Sequence, residues 1–138
     1  MQSLPGSVML VDDDLDDHEI FCLALKSVSP SIACLYYDSA QKALDHLVQN
    51  IIPYPDYIFL DLNLPGMNGI QFLEALKQED CCSAFTVIVY STSILPSDEQ
   101  KVMELGAEYF FIKPSSHQKL IEELNMVFNT IKRESVSV

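Results

Sequence analysis

Five short runs of β-branched and aromatic residues, each followed by a stretch of helical periodicity, constrain this chain more than any other feature. The runs are Val8–Val11, Ile32–Tyr37, Tyr57–Leu60, Thr86–Tyr90 and Tyr109–Ile112. They are almost continuously apolar, as strands buried on both faces are, so they belong in a parallel sheet covered by helices. Right-handed crossovers then give a doubly wound α/β fold. Of the two common strand orders, five strands suit 2-1-3-4-5, which sets strand 1 beside strand 3 at the switch point.

The intervening stretches set the expected helix faces. The first presents Ile20, Leu23, Ala24, Ser27 and Val28 on one side, and the second, capped by Ser39, buries Ala43, Leu44, Leu47 and Val48. The third, after Asn68-Gly69, presents Ile70, Leu73 and Leu76. The fourth follows Pro96 and ends at Gly106, in the position of a C′ glycine. The last opens on Ser115-x-x-Gln118, a capping-box pattern, and buries Leu120, Leu124, Phe128 and Ile131. The reading is one domain over 1–138, with its core at about 8–128 and a polar tail over 132–138, and no repeat, linker or output domain.

Composition removes several classes of function. A net charge of −12 over 138 residues argues against nucleic-acid backbones and anionic membranes as direct partners, and favours a cation or basic proteins. No apolar stretch approaches the roughly 18–20 residues that span a bilayer. The first basic side chain is Lys26, so the chain shows no basic signal-peptide region. Cys22, Cys34, Cys81 and Cys82 lack metal-site spacing and read as reduced thiols, which fits a cytoplasmic protein.

Ligands in doubly wound sheets bind at the carboxyl ends of the strands around the switch point. Here strand 1 ends at Asp12-Asp13, strand 3 at Asp61, strand 4 at Ser91 and strand 5 at Lys113. Like charges about 4 Å apart repel by roughly 4 kcal/mol per pair at an effective dielectric near 20. Three clustered carboxylates therefore call for a cation, and an all-oxygen set suits Mg²⁺. Lys113 and the Ser91 hydroxyl add groups able to bind transferred oxygens. That combination suits phosphoryl transfer, in which positioning and charge neutralisation dominate.

In these residues the sequence resembles the receiver domains of two-component response regulators. The matching motifs are Val11-Asp12-Asp13, Leu60-Asp61 with Pro65-Gly66-Met67-Asn68-Gly69, Val89-Tyr90-Ser91, and Gly106-Ala107 leading to Lys113-Pro114. The resemblance implies a flavodoxin-like (βα)5 domain of the stand-alone, chemotaxis-receiver type. It implies that Asp61 accepts a phosphoryl group from a histidine kinase or histidine phosphotransfer protein. Asp12, Asp13, Asp61 and the main-chain carbonyl of Asn63 would hold Mg²⁺, Ser91 would hydrogen-bond the phosphoryl group, and Lys113 would pair with it. Phe110 falls at the switch-aromatic position, and the signal would leave through helix 4, strand 5 and helix 5. Such a domain is a signalling phosphoacceptor and not a turnover enzyme. Ser91 stands where threonine is common and Phe110 where tyrosine is frequent, so a switch here works by packing. Thr86 replaces a frequent proline without expected consequence.

Plainer assignments stand beside these. Asp14, Asp16 and Asp17 are expected to serve only the dipole at the start of the first helix. Phe110 taken alone is a core residue, and His18, His46 and His117 read as isolated surface residues. Pro114 reads as a helix starter, with a cis Lys113-Pro114 bond implied by the resemblance alone. Two other functions fit part of the pattern. A haloacid-dehalogenase-type phosphohydrolase would use Asp12-x-Asp14, but Leu15-Asp16 break its continuation and Asp61 is left unexplained. A receiver-like scaffold that is never phosphorylated would keep the acidic cluster without using it.

Overall fold

The computed structural model of the chain describes residues 4–79 and 84–136, excepting the side chains of 131–136. Cys81 and Cys82 lie outside the described residues, as does the side chain of Ile131. The elements alternate as expected: β1 (Ser7–Val11), α1 (Leu15–Val28), β2 (Ala33–Tyr37), α2 (Ala40–Val48), β3 (Tyr57–Leu60), α3 (Gly69–Lys77), β4 (Thr86–Ser91), α4 (Pro96–Glu104), β5 (Tyr109–Ile112) and α5 (His117–Val136). All strand pairs are parallel, in the order β2-β1-β3-β4-β5. The doubly wound order expected from the strand runs is the one observed.

Alternation along the strands divides the core into two layers. Met9, Val11, Ile58, Leu60, Val87 and Val89 face α2, α3 and α4, where Leu47, Phe72, Leu73 and Val102 close over them. Val8, Leu10, Tyr57, Phe59, Ile88 and Tyr90 face α1 and α5, and meet Phe21, Leu25, Leu124 and Phe128. Because both faces are sealed, polar side chains from β1, β3 and β4 reach solvent only at the strand ends.

The structure corrects the sequence reading of α1. Phe21, Ala24 and Leu25 are its buried residues, whereas Ile20 and Leu23 are 47% and 60% exposed. Two apolar stripes of equal period run along this helix and share Ala24. The stripe with the larger ring wins, since Phe21 packs at 5.0 Å from the ring of Phe59 and 5.4 Å from that of Tyr90. In α2, Ala40 joins Ala43, Leu44 and Leu47 in the core, while Val48 is exposed. In α3, Phe72 joins Leu73 and Leu76. Ile70 packs against that core only partly buried.

The helix ends show local chemistry at work. Ser39 caps α2 by accepting the Lys42 N–H, and α3 carries a full capping box between Asn68 and Gln71. Gly106, at φ +108°, ends α4. Its N–H reaches Met103 O and that of Ala107 reaches Val102 O, which satisfies two terminal carbonyls in a Schellman motif. The capping serine of α5 is Ser116, not Ser115: its Oγ accepts the Lys119 N–H at 3.1 Å. Pro114 therefore lies in the loop ahead of the helix instead of starting it, and the Lys113-Pro114 peptide is trans, the form most X-Pro bonds prefer. The polar segment from Lys132 is helical as far as Val136, since no glycine or proline interrupts it.

Candidate functional site

β1 and β3 are neighbours, so their carboxyl ends bring Asp12 and Asp61 to one edge of the sheet. β4 places Ser91 beside β3, and β5 delivers Lys113, whose N–H donates to Ser91 O at 2.8 Å. Asp12 and Ser91 are fully buried and Asp61 is 5% exposed, although each carries a polar side chain. Burying such groups is costly unless they are paired, and here they are.

Asp61 divides its two oxygens. Oδ1 accepts from Ser91 Oγ at 3.1 Å and from the Asn63 N–H at 3.0 Å. Oδ2 accepts from Lys113 Nζ at 3.1 Å. The Asn63 side chain in turn donates to Ser91 Oγ at 3.2 Å, so Ser91 is held from both sides. Asp12 receives the Asp14 N–H at 3.0 Å on Oδ1 and Lys113 Nζ at 2.8 Å on Oδ2. Asp13 is exposed, yet one oxygen from each of Asp12, Asp13 and Asp61 lies within 4.8 Å of the other two.

Electrostatics follow from burial. Burial pushes the Asp12 carboxyl above its ordinary value of 3.8, despite the opposing hydrogen bonds from Lys113 and the Asp14 N–H. Burial alone would lower the Lys113 ammonium, but hydrogen bonds to Asp12 and Asp17 and the charge of Asp61 outweigh it and hold the pKa above 10.5. Lys113 also lies 5.3 Å from the centroid of the Tyr90 ring.

The strand-end residues singled out in the sequence thus converge. Phe110, on β5 opposite Val89, packs half-buried against the α2–α4 layer, stacked at 6.5 Å on Tyr109. Asp17 was missed. Its Oδ2 lies 2.6 Å from Lys113 Nζ, the shortest of that ammonium's three ion pairs. Nothing in its spacing announces this, because a carboxylate in the first turn of a helix is ordinary; only the arrival of β5 at the same edge gives it a partner. Two of the histidines are not isolated either. His18 stacks on Tyr36 at 3.9 Å and His46 Nδ1 lies 2.6 Å from the Tyr37 hydroxyl. The thiols of Cys22 and Cys34 are free and in contact, with their sulfurs 3.0 Å apart.

A family model for the response regulator receiver domain matches residues 8–125. The chain belongs to this family. As a receiver domain it is 29% identical over 130 residues to the phosphate regulon transcriptional regulatory protein PhoB of Escherichia coli, which covers 94% of this chain and 54% of that protein. The chain spans about half the length of the PhoB proteins it matches. Among solved structures, the phosphorylated cyanobacterial phytochrome response regulator RcpA superposes with a TM-score of 0.81 at 23% identity, over 91% of this chain and 95% of that one. The Mn²⁺-bound form of response regulator Rcp1 gives 0.76 at 24% identity, over 89% and 91%. The receiver fold expected from the motifs is therefore established.

Proposed function

We propose that this receiver accepts a phosphoryl group on Asp61, in a Mg²⁺-dependent transfer from a histidine kinase or histidine phosphotransfer protein. The observation that carries the reading is the division of labour at Asp61. One oxygen is oriented by Ser91 and Asn63, while the other faces Lys113, a cation able to pair with an incoming phosphoryl group. An oxygen of Asp61 forms the new O–P bond as the P–N bond to the donor imidazole breaks. Ser91 Oγ and Lys113 Nζ then hydrogen-bond the phosphoryl oxygens, stabilising charge where it develops.

The donor set fits a hard divalent cation: Asp12, Asp13 and Asp61 supply only oxygens, close enough to converge on one ion. The Asn63 carbonyl would complete the protein ligands, and Rcp1, which shares the fold, is known with Mn²⁺ bound. Bound there, Mg²⁺ would neutralise the cluster and the charge of the transferred group.

The domain acts as a cytoplasmic phosphoacceptor, losing its phosphoryl group by self-hydrolysis and turning over no other substrate. Recruitment of the Ser91 hydroxyl to the phosphoryl group breaks the Asn63–Ser91–Asp61 arrangement, and the Phe110 ring repacks in response. The altered surface runs over α4, β5 and α5, from about Pro96 to Phe128, where a downstream protein reads it. Its populations follow the differential contacts of the two states.

The test is incubation with Mg²⁺ and acetyl phosphate, read by intact mass, beside Asp61→Asn. Wild type gains one phosphoryl group and the variant gains none. Identical behaviour of the two proteins removes Asp61 from the reaction.

A further inference from the structure

Lys113 and a divalent cation would draw on the same carboxylates. The ammonium lies 2.8 Å from Asp12 Oδ2 and 3.1 Å from Asp61 Oδ2, and both carboxylates belong to the trio able to hold a metal. A doubly charged ion on those carboxylates repels an ammonium at hydrogen-bond range strongly enough that the two cannot share them. A cation held there would therefore loosen the hold of Asp12 and Asp61 on Lys113. Yet the phosphoryl reading requires Lys113 beside Asp61, so the side chain must release these oxygens without leaving the site.

Asp17 offers the destination. Its Oδ2 already holds Nζ at 2.6 Å, it stands on the first turn of α1, and it lies outside the metal-binding trio. We propose that Asp17 is a positioning residue: it receives Lys113 when a cation occupies Asp12, Asp13 and Asp61, and keeps the ammonium at the mouth of the site. The proposal rests on the phosphoacceptor reading for its purpose, but its first consequence concerns the metal alone. Two contacts limit how far the lysine can otherwise travel, namely its own N–H on Ser91 O and the Tyr90 ring near its ammonium. Asp16, in the same turn, is exposed and makes no ion pair with Lys113 among the described residues. It carries the same charge at a similar place and so serves as the control for helix-dipole and net-charge effects.

The experiment measures Mg²⁺ affinity by calorimetry for wild type, Asp17→Asn and Asp16→Asn, each also combined with Lys113→Met. With Asp17 neutralised, Lys113 keeps only Asp12 and Asp61 of its ion-pair partners among the described residues. Asp17→Asn should weaken Mg²⁺ binding on the order of ten-fold, the worth of one charge-assisted hydrogen bond, against about two-fold or less for Asp16→Asn. In the Lys113→Met background the two should become equal, because the lysine through which Asp17 acts is gone. Asp17→Glu should recover part of the affinity. Equal effects of Asp17→Asn and Asp16→Asn in the parent protein overturn the proposal, and so does a difference that persists without Lys113. Wild-type protein that binds no Mg²⁺ overturns both this inference and the function. The expected Mg²⁺ pattern without uptake of phosphoryl from acetyl phosphate supports the Asp17 role and removes only the phosphoacceptor reading.

Discussion

Replacing Lys113 with methionine keeps an unbranched apolar stem and removes the charge together with its hydrogen-bond donors. In the folded chain that charge is shared among Asp12, Asp61 and Asp17, whose side chains are 0%, 7% and 27% exposed, and the Lys113 side chain itself is 8% exposed. Breaking a buried ion pair by removing one partner costs about 3–5 kcal/mol. The more exposed Asp17 adds little once solvent screening is counted, and the stranded carboxylates relieve part of the loss by taking up protons. About 3 kcal/mol is the resulting expectation for Lys113→Met without metal. For a domain of 138 residues this lowers Tm by about 10 °C, measured by circular dichroism at pH 7 in chelator. Saturating Mg²⁺ should raise the variant's Tm by more than it raises the wild type's, because the ion replaces the missing charge and meets no competing ammonium. The pH dependence has a fixed sign. Lys113 has a folded pKa raised above 10.5, so its contribution is fully present below that value and is lost as pH rises through the higher folded one. The gap between the two proteins should therefore hold up to about pH 10.5 and close above it. A variant melting within about 2 °C of wild type in chelator would refute the reasoning, since the acidic edge would then need no internal countercharge.

Gly69→Ala should destabilise the protein by about 1–3 kcal/mol in urea titrations, although alanine is ordinarily the better helix residue. An added Cβ would meet Asp61 O at 2.6 Å and Leu62 Cα at 2.8 Å. The groups that must give way are the backbone of Asp61 and Leu62, so the proposed phosphorylation by acetyl phosphate should slow as well. Asp12→Asn should raise the metal-free Tm at pH 7, because Lys113 keeps Asp61 and Asp17 as partners and no buried charge is stranded, while abolishing Mg²⁺ binding measured by calorimetry. Because burial raises the Asp12 pKa, its ionised form costs stability above that raised value and the cost is gone below 3.8. The variant's advantage should accordingly shrink as pH falls towards 3.8, where wild-type Asp12 is protonated too. A constant advantage across that range would assign the gain to something other than this charge.

The parallel sheet was legible because its strands, sealed on both faces, must be apolar throughout, and such runs survive inspection without any knowledge of their partners. Strand order then followed from the small number of ways four right-handed crossovers can join five strands, and that order is enough to bring Asp12 to Asp61. Gly106 was legible for a local reason, since a residue at φ +108° after a helix favours glycine. The buried face of α1 was not legible. Periodicity allows either the stripe through Ile20 and Leu23 or the one through Phe21 and Leu25, and only the rings of Phe59 and Tyr90 waiting across the sheet decide between them.

The sequence by itself determined which chemical groups stand at the strand ends, because each is fixed by the run of apolar residues before it. Tertiary structure alone decided how those groups share one another. The three-way hold on Lys113 joins residues separated by as many as 101 positions, and its Asp17 arm depends on where α1 starts relative to β5. Spacing along a chain records which face a residue takes within its own element. It carries no record of which element arrives opposite, and that arrival turned an ordinary helix-start aspartate into a partner of the site's lysine.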